Sequence, residues 1–350
     1  MNVTYMFRAT NREARGLTDC DPAAAHPGLP EAGPALPEAD PVPEPVRAAP
    51  LVLGDPIDEE PANMAAARAV HAAMLPVSGL PAKYVATEGR IILVAKARGG
   101  IGATTLAVNL ALEMQAHSAR RGDGHGGRVA LVDLDVQLGN AGSFLDLADR
   151  GGMLALARLG PEPDAQAMRH AMMRHPTGLS VLAAPSTAIP FEAFDARRIA
   201  SMLDALATEH DVVIVDLPPA LIDWLEPLLA RAERLLMVTD LAVPSVVRAR
   251  RIISLLTQDH PKLPVEIVVA HEKKPFRMGA THRDAEMALG RPLRHWLPDE
   301  AKLARQALDR GEPLVQLAPR CGWSRAVKAM ATELQTPTRN GAKAAAKGDR

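Results

Sequence analysis

Six short, almost unbroken apolar runs recur along the chain: Ile91 to Ala95 (IILVA), Val129 to Val132 (VALV), Leu179 to Ala183 (LSVLA), Val212 to Val215 (VVIV), Leu235 to Val238 (LLMV) and Val265 to Val269 (VEIVV). A strand with one wet face alternates apolar and polar residues, whereas a run without alternation needs cover on both faces, as inside a parallel sheet. Longer amphipathic stretches separate the runs: Thr104 to Ala116, Phe191 to Thr208, Pro244 to Leu256 and Thr281 to Leu289. In the first, Leu106, Ala107, Leu110, Ala111 and Met114 recur at spacings of three and four and share one helix face. The alternation predicts an α/β fold: a doubly wound, mostly parallel sheet with helices on both faces and ligands at the carboxyl ends of the strands. No repeat of 20 to 50 residues is visible.

The flanks differ in character. Thirteen of the 30 prolines lie before Val85, and from Asp19 to Glu60 ten acidic residues stand against Arg47 alone. Such a segment has too little apolar surface to offset the entropy of ordering it, so residues 1–86 are read as a disordered acidic leader. Within it, the Ala-rich 63–75 stretch predicts either a docking helix or a marginal isolated one. The folded domain is expected over 87–335, followed by a polar basic tail, 336–350. Aromatics make up 3% of the chain, so aliphatic side chains must fill the core and a base-stacking platform for nucleic acid is disfavoured. A net charge of −1 gives no global field for a polyanion. Two cysteines, Cys20 and Cys321, build neither a disulfide framework nor a four-ligand zinc site, which fits a reducing cytoplasm. No run approaches 18 apolar residues, and Met1 to Thr18 lacks the apolar core of a signal peptide, so a cytoplasmic chain is expected.

The first predicted strand runs straight into Lys96-Ala97-Arg98-Gly99-Gly100-Ile101-Gly102-Ala103-Thr104-Thr105, where a helix begins. Glycines let successive backbone N–H groups point into one concavity, and the helix dipole adds positive potential, so the turn suits a phosphate. A hydroxyl at the helix start, here Thr104, suits Mg²⁺.

In these residues the chain resembles the MinD/ParA family of deviant Walker-type P-loop NTPases, whose loop reads Lys-Gly-Gly-x-Gly-Lys-Thr-Thr. Val129 to Asn140 (VALVDLDVQLGN) resembles the family's second motif, in which the acid matching Asp135 positions attacking water. Asp211 to Pro219 (DVVIVDLPP) resembles its Walker B strand, with Asp216 matching the acid that binds Mg²⁺ through water. Leu297 to Leu314 follows the family's closing segment. The resemblance implies ATP and Mg²⁺ as cofactors, phosphate contacts from Arg98, Gly99, Gly100, Ile101, Gly102, Ala103, Thr104 and Thr105, metal contacts from Thr104 and Asp216, and a homodimer. The GGIGATTLAVNLA loop, the Asp-Leu-Asp-x-Gln run and Thr177 to Pro185 (TGLSVLAAP) are most similar to the TadZ/CpaE branch. That branch implies spatial positioning of a Tad/Flp pilus or secretion assembly machine, at a cell pole or the inner face of the membrane, with membrane contact made through partners. It commonly carries a receiver-like N-terminal domain, where this chain has the acidic leader.

Four departures weaken the chemistry. Ala103 replaces the P-loop lysine, removing a charge-assisted hydrogen bond worth about 1.5 to 3 kcal/mol, or roughly 10- to 150-fold in binding. Arg98 replaces the signature lysine that reaches across the dimer, and Ala97 replaces the loop's first glycine, while Lys96 lies two positions too early for a simple exchange. Ala270-His271 stands where the family has Asn-Arg beside the adenine. The expectation is a nucleotide-dependent or degenerate switch with slow or absent hydrolysis. Two alternatives stay open: a ParA-like DNA-associated partition ATPase, for which Arg248, Arg250 and Arg251 are candidate phosphate contacts, and a nucleotide-independent scaffold. These arginines otherwise form a solvated face opposite Ala249, Ile252, Ile253 and Leu256. His170 and His175, five apart, are read as solvated rather than metal-binding. Met153, Met168, Met172 and Met173 are read as gap-filling. Trp323, Val327, Met330 and Leu334 are read as one face of a C-terminal helix that packs on the body.

Overall fold

The computed structural model describes residues 89–120, 128–160 and 162–335; the leader 1–86, its 63–75 stretch and the 336–350 tail lie outside the described residues. The chain proceeds through β1 (Arg90–Lys96), α1 (Ala103–Arg120), β2 (Val129–Asp133), α2 (Gly152–Arg158), α3 (Ala165–Ala171), β3 (Met173–Arg174) and β4 (Ser180–Leu182). It continues with α4 (Ala196–Glu209), β5 (Val212–Asp216), α5 (Glu226–Arg231), β6 (Arg234–Thr239), α6 (Val243–Thr257), β7 (Val265–Ala270), α7 (Ala280–Leu289), β8 (Leu293–Leu297), α8 (Ala301–Arg310), α9 (Leu314–Leu317) and α10 (Gly322–Leu334). The strands form one sheet in the order β3-β4-β2-β5-β1-β6-β7-β8, parallel except for the β3–β4 pair at one edge.

The apolar runs fill two cores, one on each sheet face. Ile91, Leu93 and Ala95 of β1 enter the first, with Ile199, Leu203 and Leu206 of α4 and Ala249, Ile253 and Leu256 of α6. Ile92 and Val94 enter the second, with Leu106, Leu110 and Met114 of α1 and Trp323, Val327, Met330 and Leu334 of α10. Successive strand residues point to opposite faces, so a central strand contributes to both cores only if it is apolar throughout. The C-terminal amphipathic face therefore packs on the body as expected. Met153, Met168 and Met173 are buried and Met172 packs against the first core, while Arg248, Arg250 and Arg251 are exposed.

Several local expectations are corrected. The helix expected from Phe191 begins only after Asp195, whose side chain accepts from the Arg198 N–H at 2.7 Å and caps α4. Phe191 lies in a separate 3₁₀ turn and packs, like Phe194, against the Trp224 ring. His175 is buried rather than solvated; its Nδ1 lies 2.8 Å from Thr177 Oγ1, and burial holds its pKa below the usual histidine value. His170 is exposed. The edge strands β3 and β8 add to the six expected ones. In β8, His295 is buried because its Nε2 meets Glu266 Oε2 of β7 at 2.6 Å, and Arg294 pairs outward with Glu333.

Candidate nucleotide site

Parallel pairing brings three strand ends together. Asp216 of β5 lies opposite Asp133 of β2 on one side and Val94 of β1 on the other, two residues before β1 ends at Lys96. The chain leaves β1 through residues 97–102 and enters α1, so the glycine-rich turn closes over the same carboxyl end at which α/β sheets place their ligands.

The turn has the geometry its glycines imply. Gly100 (φ 69°) and Gly102 (φ 90°) are left-handed, a region costly for residues bearing a Cβ. A Cβ built at Gly99, Gly100 or Gly102 meets nothing within 4 Å, so the concavity in front of the loop is open. Ile101 and Ala103 point the other way, into the second core. Thr104 and Thr105 open the first turn of α1, whose leading N–H groups have no intrahelical acceptor. Asn109 ties this helix to the closing segment, donating to Thr105 O at 2.7 Å and accepting from the Val315 N–H at 2.9 Å.

Beside the loop sits a compact cluster of charge. Thr104 Oγ1 donates to Asp216 Oδ2 at 2.5 Å. Asp216 is fully buried, and its Oδ1 has no hydrogen-bond partner. Burial raises its pKa; the Lys96 charge and the Thr104 hydrogen bond work against that rise. Asp133, also fully buried, accepts from the backbone N–H groups of Asp135 (3.1 Å) and Ala141 (3.0 Å), thereby ordering the segment that carries Asp135. Burial, with the Asp216 carboxylate beside it, pushes the Asp133 carboxyl up to about 7. Gly139 is obligatory for that packing: a Cβ there would lie 2.5 Å from both Asp133 oxygens. Asp135 Oδ1 accepts from the Leu138 N–H at 3.2 Å.

Lys96 supplies the positive charge. Its Nζ lies 3.5 Å from Asp135 Oδ2 and 3.9 Å from Asp216 Oδ1, and its side chain is only 11% exposed. Sequence reasoning weighs Lys96 only as a stand-in for the loop lysine, and does not single out Asp133. The available signals were the period of two along β1, which sets Lys96 on the side of Ile92 and Val94, and the same period relating Asp133 to Asp135. The oxygen donors Thr104, Asp135 and Asp216 have the chemistry of a hard divalent cation. However, the Thr104 hydroxyl is directed to Asp216, and a lysine ammonium already faces both carboxylates, so the residues as arranged do not fit a resident Mg²⁺.

Arg98, expected to reach a partner's phosphates, is turned within its own chain onto Asp240, with Nη2 2.6 Å and Nε 3.2 Å from Oδ2. That pairing contributes to holding the Asp240 carboxyl below its usual range. At the end of β7, His271 is left-handed (φ 63°) and its Nδ1 lies 3.7 Å from Asp299 Oδ1. A left-handed non-glycine residue stores about 1 to 3 kcal/mol of strain.

Residues 89–258 match the family described as AAA domain. Over 147 residues the chain is 37% identical to the chromosome partitioning protein ParA of Myxococcus xanthus, an overlap of 39% of this chain and 47% of that protein. Over 170 residues it is 28% identical to the septum site-determining protein MinD of Thermotoga maritima, an overlap of 48% of this chain and 58% of that one. The matched segment thus spans roughly half the length of these relatives. Its fold is similar to that of the septum site-determining protein MinD of Pyrococcus horikoshii, solved with Mg-ADP, at a TM-score of 0.56 and 18% identity, covering 71% of this chain and 96% of that one. The described residues thus have the fold of the ParA and MinD P-loop NTPases, and in sequence the chain is similar to members of both groups over part of its length.

Proposed function

We propose that the protein is a positioning factor of the MinD/ParA type that takes the phosphates of ATP over Gly99, Gly100, Ile101, Gly102, Ala103, Thr104 and Thr105 and turns ATP over slowly or not at all. The observation that carries this reading is the open, left-handed Gly100–Gly102 turn ending on Thr104, with an alanine where the loop's lysine would stand. The turn supplies backbone donors and a helix N-terminus for phosphate. The Ala103 side chain supplies neither charge nor donor to a transferring phosphoryl group, which removes transition-state stabilisation above all. Asp135, the candidate for positioning water, is held by Lys96 and the Leu138 N–H, which also favours slow turnover.

The output we assign is recruitment or localisation of a Tad/Flp pilus or secretion assembly machine by a homodimer. The GGIGATT loop and the TGLSVLAAP segment support that branch. Among the described residues no helix is long and apolar enough to cross a membrane, so membrane contact in this reading runs through partners. Arg98 and Asp240 lie at the rim of the loop, and on dimerisation Arg98 would exchange Asp240 for the partner's nucleotide. A steady-state phosphate-release assay with nucleotide binding measured in parallel tests the reading: binding with turnover far below binding capacity is expected, and brisk turnover abolished by Asp135→Ala would contradict it. A second reading, a DNA-associated partition ATPase, is favoured by the exposed Arg248, Arg250 and Arg251 on α6. Association with nonspecific duplex DNA that weakens steeply with salt would select it.

A further inference from the structure

Lys96 is the last residue of β1, and its ammonium faces two of the site's carboxylates, those of Asp135 and Asp216. Asp216 Oδ1 is buried without a hydrogen bond, so the charge 3.9 Å away is the compensation that the described residues offer it. Leaving a buried carboxylate uncompensated is strongly unfavourable. The oxygen atoms that Lys96 faces, Asp216 Oδ1 and Asp135 Oδ2, belong to the same set a divalent cation would use, with Thr104 completing it. Mg²⁺ needs close octahedral approach, near 2.0–2.1 Å, and so competes with an ammonium for these atoms rather than joining it. The lysine is tethered by its own strand, so unlike a free ion it loses no translational freedom when the site assembles.

We propose that the Lys96 ammonium is a built-in replacement for the divalent cation: it holds Asp135 and Asp216 in register with Thr104 and makes phosphate binding at the loop independent of Mg²⁺. The inference rests on the nucleotide reading above for its second half, whereas its first half concerns the protein without nucleotide. Lys96 is then a positioning residue.

The test uses the full chain, its Lys96→Met variant, and Lys96→Met combined with Asp135→Asn. Thermal melting is recorded without nucleotide across a Mg²⁺ series at constant ionic strength, and ATP is then titrated in EDTA and in millimolar Mg²⁺. The wild-type melting temperature is expected to ignore Mg²⁺. Lys96→Met should melt lower and recover as Mg²⁺ enters the vacated position, and the double variant, with one carboxylate removed, should recover without the metal. The ATP affinity of the wild type should change less than about threefold on adding Mg²⁺, whereas that of Lys96→Met should rise about tenfold or more. Wild-type melting that rises with Mg²⁺ as steeply as the variant's, or wild-type ATP binding that requires Mg²⁺, would overturn the proposal. If no protein binds ATP in any buffer, the nucleotide reading fails by itself and the melting series still decides the role of Lys96. If Lys96→Met does not fold, the double variant carries the comparison: a melting temperature that then still depends on Mg²⁺ as in a metal site with all its carboxylates would refute it.

Discussion

Restoring the loop's lysine with Ala103→Lys should strengthen ATP binding by an amount the structure bounds. The Ala103 methyl is buried under the turn, but the space in front of Gly99, Gly100 and Gly102 is empty to 4 Å from any added Cβ, so a lysine stem has room to fold back across the concavity. A charge-assisted hydrogen bond to a phosphate oxygen is worth about 1.5 to 3 kcal/mol, hence a dissociation constant lower by roughly 10- to 150-fold. Lys96 moderates the gain, because a second ammonium arrives beside the first and repels it. The lower half of the range is therefore expected in the wild-type background, and the upper half where Lys96 is methionine. Calorimetric titration with ATP on both backgrounds reads the effect, with circular dichroism as the check on folding. A folded Ala103→Lys variant whose affinity is unchanged would refute the turn as the phosphate site.

Other consequences concern the scaffold. Leu110, fully buried between the sheet and α10, should cost about 2 to 5 kcal/mol as Leu110→Ala, measured by urea unfolding. Gly139→Ala drives a methyl into the Asp133 carboxylate, so the variant should lose about 1 to 3 kcal/mol of stability, with faster amide exchange confined to residues 135–141; normal exchange there would contradict the packing. The Asp133 carboxyl binds its proton more tightly in the folded state than unfolded, so between pH of about 4 and about 7 the folded chain holds more protons and loses stability as pH rises. Measured against Asp133→Asn, wild-type stability should therefore be greatest near the acid end of that window and decline towards its neutral end. A difference that is flat with pH would disprove the buried, raised carboxyl.

The sequence carried the centre of the sheet because burial on both faces demands unbroken apolar runs, and β1, β5 and β6 have them. Edges escape that rule. β8 reads Leu-Arg-His-Trp-Leu and looks like a loop until Glu266 of β7 is known to lie beside His295. The start of α4 differs from the sequence expectation because Phe191 and Phe194 continue the apolar spacing, although they serve the Trp224 cluster and the cap is Asp195. His175 departs from expectation for a related reason, since its burial goes with the turn that Thr177 and Gly178 make beside it. At the site, the glycines and threonines stand out because a phosphate turn imposes their spacing along the chain, whereas Asp135 and Asp216 are candidates only through the resemblance to the family's motifs. Lys96 does not stand out, because its partners come from β2's trailing loop and β5, and only the sheet order puts them within reach.

The measurement that tests the central claim most directly is ATP titration of the purified full chain, with mass determined by light scattering on the same samples. The account predicts saturable binding, a shift from monomer to dimer and negligible phosphate release over the same interval. An unchanging mass with no heat of binding would contradict it and leave the loop as a relic on a nucleotide-independent scaffold.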